Sequence, residues 1–146
     1  MAVHPLPYSD FVIPASAAFP NGRVASRPFL RIALVNAGLR LSCYALVDSG
    51  ADYCAFPRSF MQPVGLDALT SPIDQTTGVS TASVPTHFAN VSIDLQGLVE
   101  FPVYAGFTVG LEQMGLGLLG QVGFFDRFNI SFSKKVCYIE IPDPHP

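Results

Sequence analysis

Tyr44-Ala45-Leu46-Val47-Asp48-Ser49-Gly50-Ala51-Asp52 is the stretch on which the fold of this 146-residue chain turns. Tyr44 to Val47 form an apolar run of β type that stops at Asp48, where Ser49 and Gly50 supply turn chemistry. A strand ending in such a turn delivers the Asp48 carboxylate from a rigid element, and Gly50 leaves room for another backbone to approach closely. The triplet Asp-Ser-Gly alone carries little weight, since at average composition it arises by chance in roughly one chain in ten of this length. Its neighbours decide what it means.

Immediately upstream, Phe29 to Val35 and Leu39 to Val47 are two β-type runs joined by Asn36-Ala37-Gly38, a turn whose residues tolerate positive φ, so a hairpin feeds Asp48. Before that hairpin, Pro5, Pro7, Pro14 and Pro20 interrupt all periodicity. Residues 1–27 are therefore expected to form an extended N-terminal arm crossing a surface, outside the regular core, and residues 28–146 the domain proper. Downstream, Pro57-Arg58-Ser59-Phe60-Met61 has the proline start of a single helical turn.

Thr76 to Leu95 reads as a second hairpin, with a polar tip at Gly78-Val79-Ser80-Thr81 and a returning strand in which Val91, Ile93 and Leu95 alternate with Ser92 and Asp94. Val99 to Val109 and Leu116 to Leu119 read as further strands, and Val122 to Phe128 as about two helical turns that aim Phe124, Phe125 and Phe128 at the core. Ile130 to Ser133 and Val136 to Ile141 close the chain as a hairpin around Lys134-Lys135. Seven to nine short strands and one short helix make the fold class all-β.

Composition narrows the function classes. Hydrophobic residues make up 49% and charged residues only 13%, about half the usual charged fraction, so part of the surface must be apolar. No run approaches the roughly 18 apolar residues of a membrane span, because Gly, Pro, Asp or Ser breaks each one. No membrane partner is expected, and a self-association surface accounts for the composition better. Net charge is −3 and Lys134-Lys135 is the only adjacent basic pair, so no nucleic-acid partner is expected. Cys43, Cys54 and Cys137 are odd in number and form no Cys-x-x-Cys, which points to buried thiols rather than a disulfide framework or zinc site. His4, His87 and His145 have no second ligand at metal spacing, and no metal or cofactor is called for. Without a basic n-region and an unbroken apolar h-region at the start, a cytoplasmic location is the expectation.

Leu46-Val47-Asp48-Ser49-Gly50-Ala51-Asp52, with Leu118-Leu119-Gly120 some seventy residues later, resembles the retropepsin family of aspartic proteases, retroviral and cellular. The order matches too across residues 28 to 141: hairpin, catalytic loop, flap hairpin, then two apolar residues and a glycine entering a helix. The resemblance implies a retropepsin-like β-barrel, closed or partly open, with a flap hairpin and one short C-terminal helix.

It also implies chemistry. Hydrolysing a peptide with carboxylates takes two of them about 3 Å apart sharing one proton, one as base for water and one as acid for the carbonyl oxygen. This chain has a single Asp-Ser-Gly; Asp10, Asp67, Asp74, Asp94, Asp126 and Asp143 lack that setting. The second carboxylate must come from an identical copy across a two-fold axis, so a homodimer acting on a polypeptide substrate is expected. By resemblance, Asp48 is the catalytic carboxylate, Ser49 braces the loops across the axis and Gly50 meets substrate backbone. Ala51 and Asp52, with the flap residues Thr77, Gly78, Val79 and Ser80 of the segment Thr76 to Val84, would bind substrate. Asp52 matches a position often paired with an arginine just after the second glycine; Gln121 stands there, leaving Arg127 as the candidate.

Other readings compete. Asp48 as a loop aspartate capping its own turn is the plain alternative. Ser49 lacks the Gly-x-Ser-x-Gly setting of a serine nucleophile. The glycine-poor flap tip and the missing arginine suggest a peptide-binding or scaffolding dimer, weakly active or inactive, with the same fold. A monomeric barrel unrelated to proteolysis would sediment at 15.7 kDa.

Overall fold

A computed structural model describes residues 1–77 and 83–142 of the chain. Its strands are β1 (Ala2–Pro7), β2 (Ser9–Ile13), β3 (Arg23–Arg27), β4 (Phe29–Asn36), β5 (Leu39–Val47), β6 (Ala55–Pro57), β7 (Ile73–Thr77), β8 (Ser83–Leu95), β9 (Val99–Thr108), β10 (Gly117–Leu119), β11 (Asn129–Ser133) and β12 (Val136–Ile141).

The expected hairpin is β4–β5, in register from Phe29↔Leu46 to Asn36↔Leu39. Ala37 (φ 50°) and Gly38 (φ 79°) both take positive φ, the two-residue turn whose twist suits the strands it joins. Leu30, Ile32 and Leu34 of β4 and Ala45 and Val47 of β5 point into the core.

Six strands, in the order β4-β5-β10-β6-β9-β8, close into a barrel because β8 returns to pair with β4 through Ala33↔Asp94, Leu34↔Ile93 and Val35↔Ser92. Length makes this closure possible: β8 runs along β9 from Thr86↔Thr108 to Leu95↔Val99, and its start also carries β7. The alternating Val91, Ile93 and Leu95 face a core shared with Phe56, Phe101, Val103, Phe107 and Leu119.

At the closing seam Arg40 hydrogen-bonds Asp94, which also accepts the Gly97 N–H at 2.9 Å. The Arg40 guanidinium first, then that amide, holds the Asp94 carboxyl below its ordinary range. A depressed folded-state value contributes stability above the unfolded value that is lost as pH falls through the folded one. Asp94→Asn should therefore cost about 0.5–1 kcal/mol at pH 7, at the modest end because Arg40 is half-exposed. In urea unfolding the gap to the unaltered protein should begin to narrow as pH falls below about 4 and vanish below the folded-state value.

The proline-rich start is extended as expected but not outside the regular core. β1 pairs with β12 from Ala2↔Ile141 to Pro7↔Val136 and places Leu6, 6% exposed, in the hydrophobic core. Pro5 and Pro7 are tolerated because β1 is an edge strand of the three-stranded sheet β1-β12-β11, where a missing N–H costs little. β2 and β3 form a separate two-stranded ribbon, Ser9↔Arg27 to Ile13↔Arg23.

The helical turn expected at 57–61 is a 3-10 turn, Arg58–Phe60, continued by Gln62–Val64. Residues 121–128 wind in consecutive turns in place of a regular two-turn helix. Arg127 and Phe128 N–H groups bond the Phe124 carbonyl, while those of Phe125 and Asp126 reach back to Gly120 and Gln121. Phe124 and Phe128 are buried against Phe101, with ring centroids 6.2 and 5.0 Å from it, and Phe125 packs against the same cluster. Cys43, Cys54 and Cys137 are free thiols that burial pushes up to about 12, 11 and 11 respectively.

Candidate active site

The site begins with a crossing of two chain segments. β5 ends at Val47, the chain turns through residues 48–52, and it returns as β6. Between these two arms runs β10, parallel to β5 (Leu118↔Leu46, Leu119↔Val47) and antiparallel to β6 (Leu118↔Ala55). The loop thus folds around the end of β10, and each side satisfies the other's backbone groups. Asp48 N–H donates to the Leu119 carbonyl at 3.0 Å, Gln121 N–H to Ala51 at 2.8 Å and Val122 N–H to Asp52 at 2.9 Å.

Only glycine fits where the segments cross. A Cβ on Gly120 would lie 2.4 Å from the Tyr53 carbonyl oxygen and 2.7 Å from that of Ala51. Within the chain, the close backbone approach is therefore made at Gly120. At Gly50 an added Cβ would meet the Asp48 carboxylate at 3.3 Å, and its own N–H donates to Asp48 Oδ1 at 2.9 Å.

These contacts fix the carboxylate. Asp48 is half-buried, anchored through its backbone to β10 and through Oδ1 to Gly50, and among the described residues its Oδ2 has no hydrogen-bond partner. The turn-capping bond to Gly50 thus holds one carboxylate oxygen and leaves the other unengaged among the described residues. Ser49 is exposed beside it, and Ala51 closes the turn by donating its N–H to the Asp48 carbonyl at 3.1 Å.

Asp52 is exposed, and Arg127 is engaged elsewhere. Arg127 donates to the Pro102 carbonyl at 3.2 Å and lies 5.4 Å over the Phe101 ring. Gln121, noticed in the sequence only as a departure, braces the loop: its Nε2 donates to the Ser49 carbonyl at 2.8 Å. A neutral amide thus ties the Asp-Ser-Gly turn to the segment after Gly120. Tyr53 continues the loop into an aromatic row, 5.0 Å from Phe88, which stacks on Tyr104 at 5.4 Å.

Thr77 ends β7, opposite Ser83 of β8, so the second hairpin has the expected antiparallel stem. Gly78, Val79 and Ser80 lie outside the described residues.

Closed barrel, threaded loop and flanking hairpin together make the retropepsin-like fold. No protein-family profile matches the chain, and no curated protein matches its sequence. Among solved structures it is similar to a retropepsin-like aspartic protease from Rickettsia conorii, with 14% identity over 94% of this chain and 92% of that one and a TM-score of 0.54. At that identity the likeness is one of fold.

Proposed function

We propose that the chain is an aspartic endopeptidase that acts as a symmetric homodimer, each copy giving one Asp48 to a water-activating pair. The observation that carries this is the setting of Asp48: a lone Asp-Ser-Gly carboxylate, rigidly delivered between β5 and β10, with one oxygen fixed by Gly50 and the other uncommitted. A single carboxylate so placed cannot be acid and base at once, whereas two sharing one proton can.

Apolar surface supports self-association, since Val3, Val12, Val24 and Phe132 are all between 43% and 78% exposed in the single chain. The proposed peptidase module is residues 28–146, with 1–27 as an arm that is docked on it through β1 and Leu6. Ser49 braces the two loops across the axis, Gly50, Ala51 and Asp52 line the floor, and the β7–β8 hairpin with Thr77, Gly78, Val79 and Ser80 is the lid over an extended peptide.

Digestion of a peptide library between pH 3 and 7, beside sedimentation, tests the proposal. Expected are cuts flanked by apolar residues, fastest at acidic to mildly acidic pH where the pair holds one proton, from a species of twice 15.7 kDa. Binding of a mimic bearing a central hydroxyl, with no cut product at any pH, would favour a scaffolding dimer instead.

A further inference from the structure

Alternate side chains of a strand share a face, so Tyr44 and Leu46 stand on the same side of β5 as Asp48, while Ala45 and Val47 point inward and are buried. Cross-strand neighbours widen this outer face: Phe29 lies opposite Leu46, Arg31 opposite Tyr44, and Leu118 beside Leu46. At its far end Phe29, Tyr44, Met114 and Leu116 line a cavity of about 360 Å³ whose rim includes Ser9, Asp10 and Gly115.

One wall of this cavity comes from the N-terminal ribbon. Ser9 Oγ donates to the Phe29 carbonyl at 3.2 Å, and the Phe11 and Phe29 rings lie 5.4 Å apart, so β2 is seated against the start of β4 with Asp10 at the rim. Tyr44 and Met114 are 49% and 53% exposed, more than apolar side chains gain from unless something covers them. Asp10 is the sole charged residue in the lining, and Arg31 is drawn onto the Tyr44 ring at 6.0 Å.

We infer that this pocket takes an arginine or lysine side chain of an extended peptide, its aliphatic stem on Phe29, Met114 and Leu116 and its cationic head at Asp10. An apolar side chain gains nothing from Asp10, and an acidic one is repelled by it. The inference rests on the peptidase proposal for the placing of the cut. From Tyr44 to Asp48 is about 13 Å of strand, so the basic residue falls about three to four residues from the scissile bond, on both sides of it if the dimer is symmetric.

The test compares kcat/KM for peptides that differ only at that position, using the full-length dimer. The ratio for arginine over glutamate should be about tenfold, fall to near one in Asp10→Asn, and invert in Asp10→Lys. Efficient cleavage with no such ratio, or a ratio indifferent to residue 10, would overturn the inference while leaving the peptidase intact.

If no peptide is cut, the peptidase proposal fails by itself, and binding then decides the pocket. In titrations followed by backbone amide shifts, an arginine peptide should move Phe29, Tyr44 and Leu116 signals at concentrations where its glutamate twin does not. Equal effects from both peptides would overturn the pocket as well.

Discussion

Asp48→Asn should lower kcat by about 10³-fold or more and leave the fold and its melting temperature unchanged. An asparagine keeps the side-chain oxygen that accepts the Gly50 N–H, and the backbone bond from residue 48 to Leu119 does not involve the side chain. What disappears is the acid–base function: an amide can neither take a proton from water nor return one to the substrate oxygen. The comparison of kcat with thermal melting separates this from damage to the loop. Residual cleavage at an appreciable fraction of the original rate would place the chemistry elsewhere.

The second large effect is structural. Gly120→Ala should cost about 3 kcal/mol or more, because the new methyl group would sit 2.4 and 2.7 Å from two carbonyl oxygens. Neither oxygen can move cheaply, since the Ala51 carbonyl accepts the Gln121 N–H and the Tyr53 segment leads directly into the buried β6. Against a total of about 5–15 kcal/mol for a domain, that loss is large. Gly97→Ala makes a sharp control: its φ of 74° imposes local strain of about 1 kcal/mol, but nothing lies within 4 Å. Urea unfolding of the two variants should rank them in that order, with faster amide exchange at Asp48 and Gln121 only for Gly120→Ala.

How much of this was legible in the sequence depended on whether the signal was local. The β4–β5 hairpin was, because Asn36-Ala37-Gly38 names its turn and apolar alternation names its faces. The final hairpin, Asn129–Ser133 with Val136–Ile141, was legible for the same reason. β1, β2 and β3 were not, since prolines erase periodicity and the pairing of β1 with β12 spans nearly the whole chain. β6 was hidden by its length, three buried residues whose strand character comes only from lying between β9 and β10.

The candidate site followed a similar division. Asp48-Ser49-Gly50 and Leu118-Leu119-Gly120 could be read as motifs, and the fold brings them into hydrogen-bonding contact. That Gly120 is the glycine at the crossing of the two segments was not legible, because which backbone a glycine admits is a property of the crossing and not of the turn. Gln121 looked like a missing arginine, yet its amide reaches Ser49 across 72 positions of sequence, a contact no local pattern announces. Arg127 stands close in sequence to Gln121, where the arginine partner of Asp52 is expected, but the aromatic cluster around Phe101 claims it instead.

Subunit mixing tests most directly the claim that each copy supplies one of two carboxylates. Co-refolding equal amounts of the unaltered chain and Asp48→Asn distributes subunits at random, and only dimers with two aspartates should cut. Activity per total protein should then fall to about a quarter of that of the same total of unaltered protein. A residual activity of one half, in proportion to the unaltered chains present, would mean that each subunit works alone.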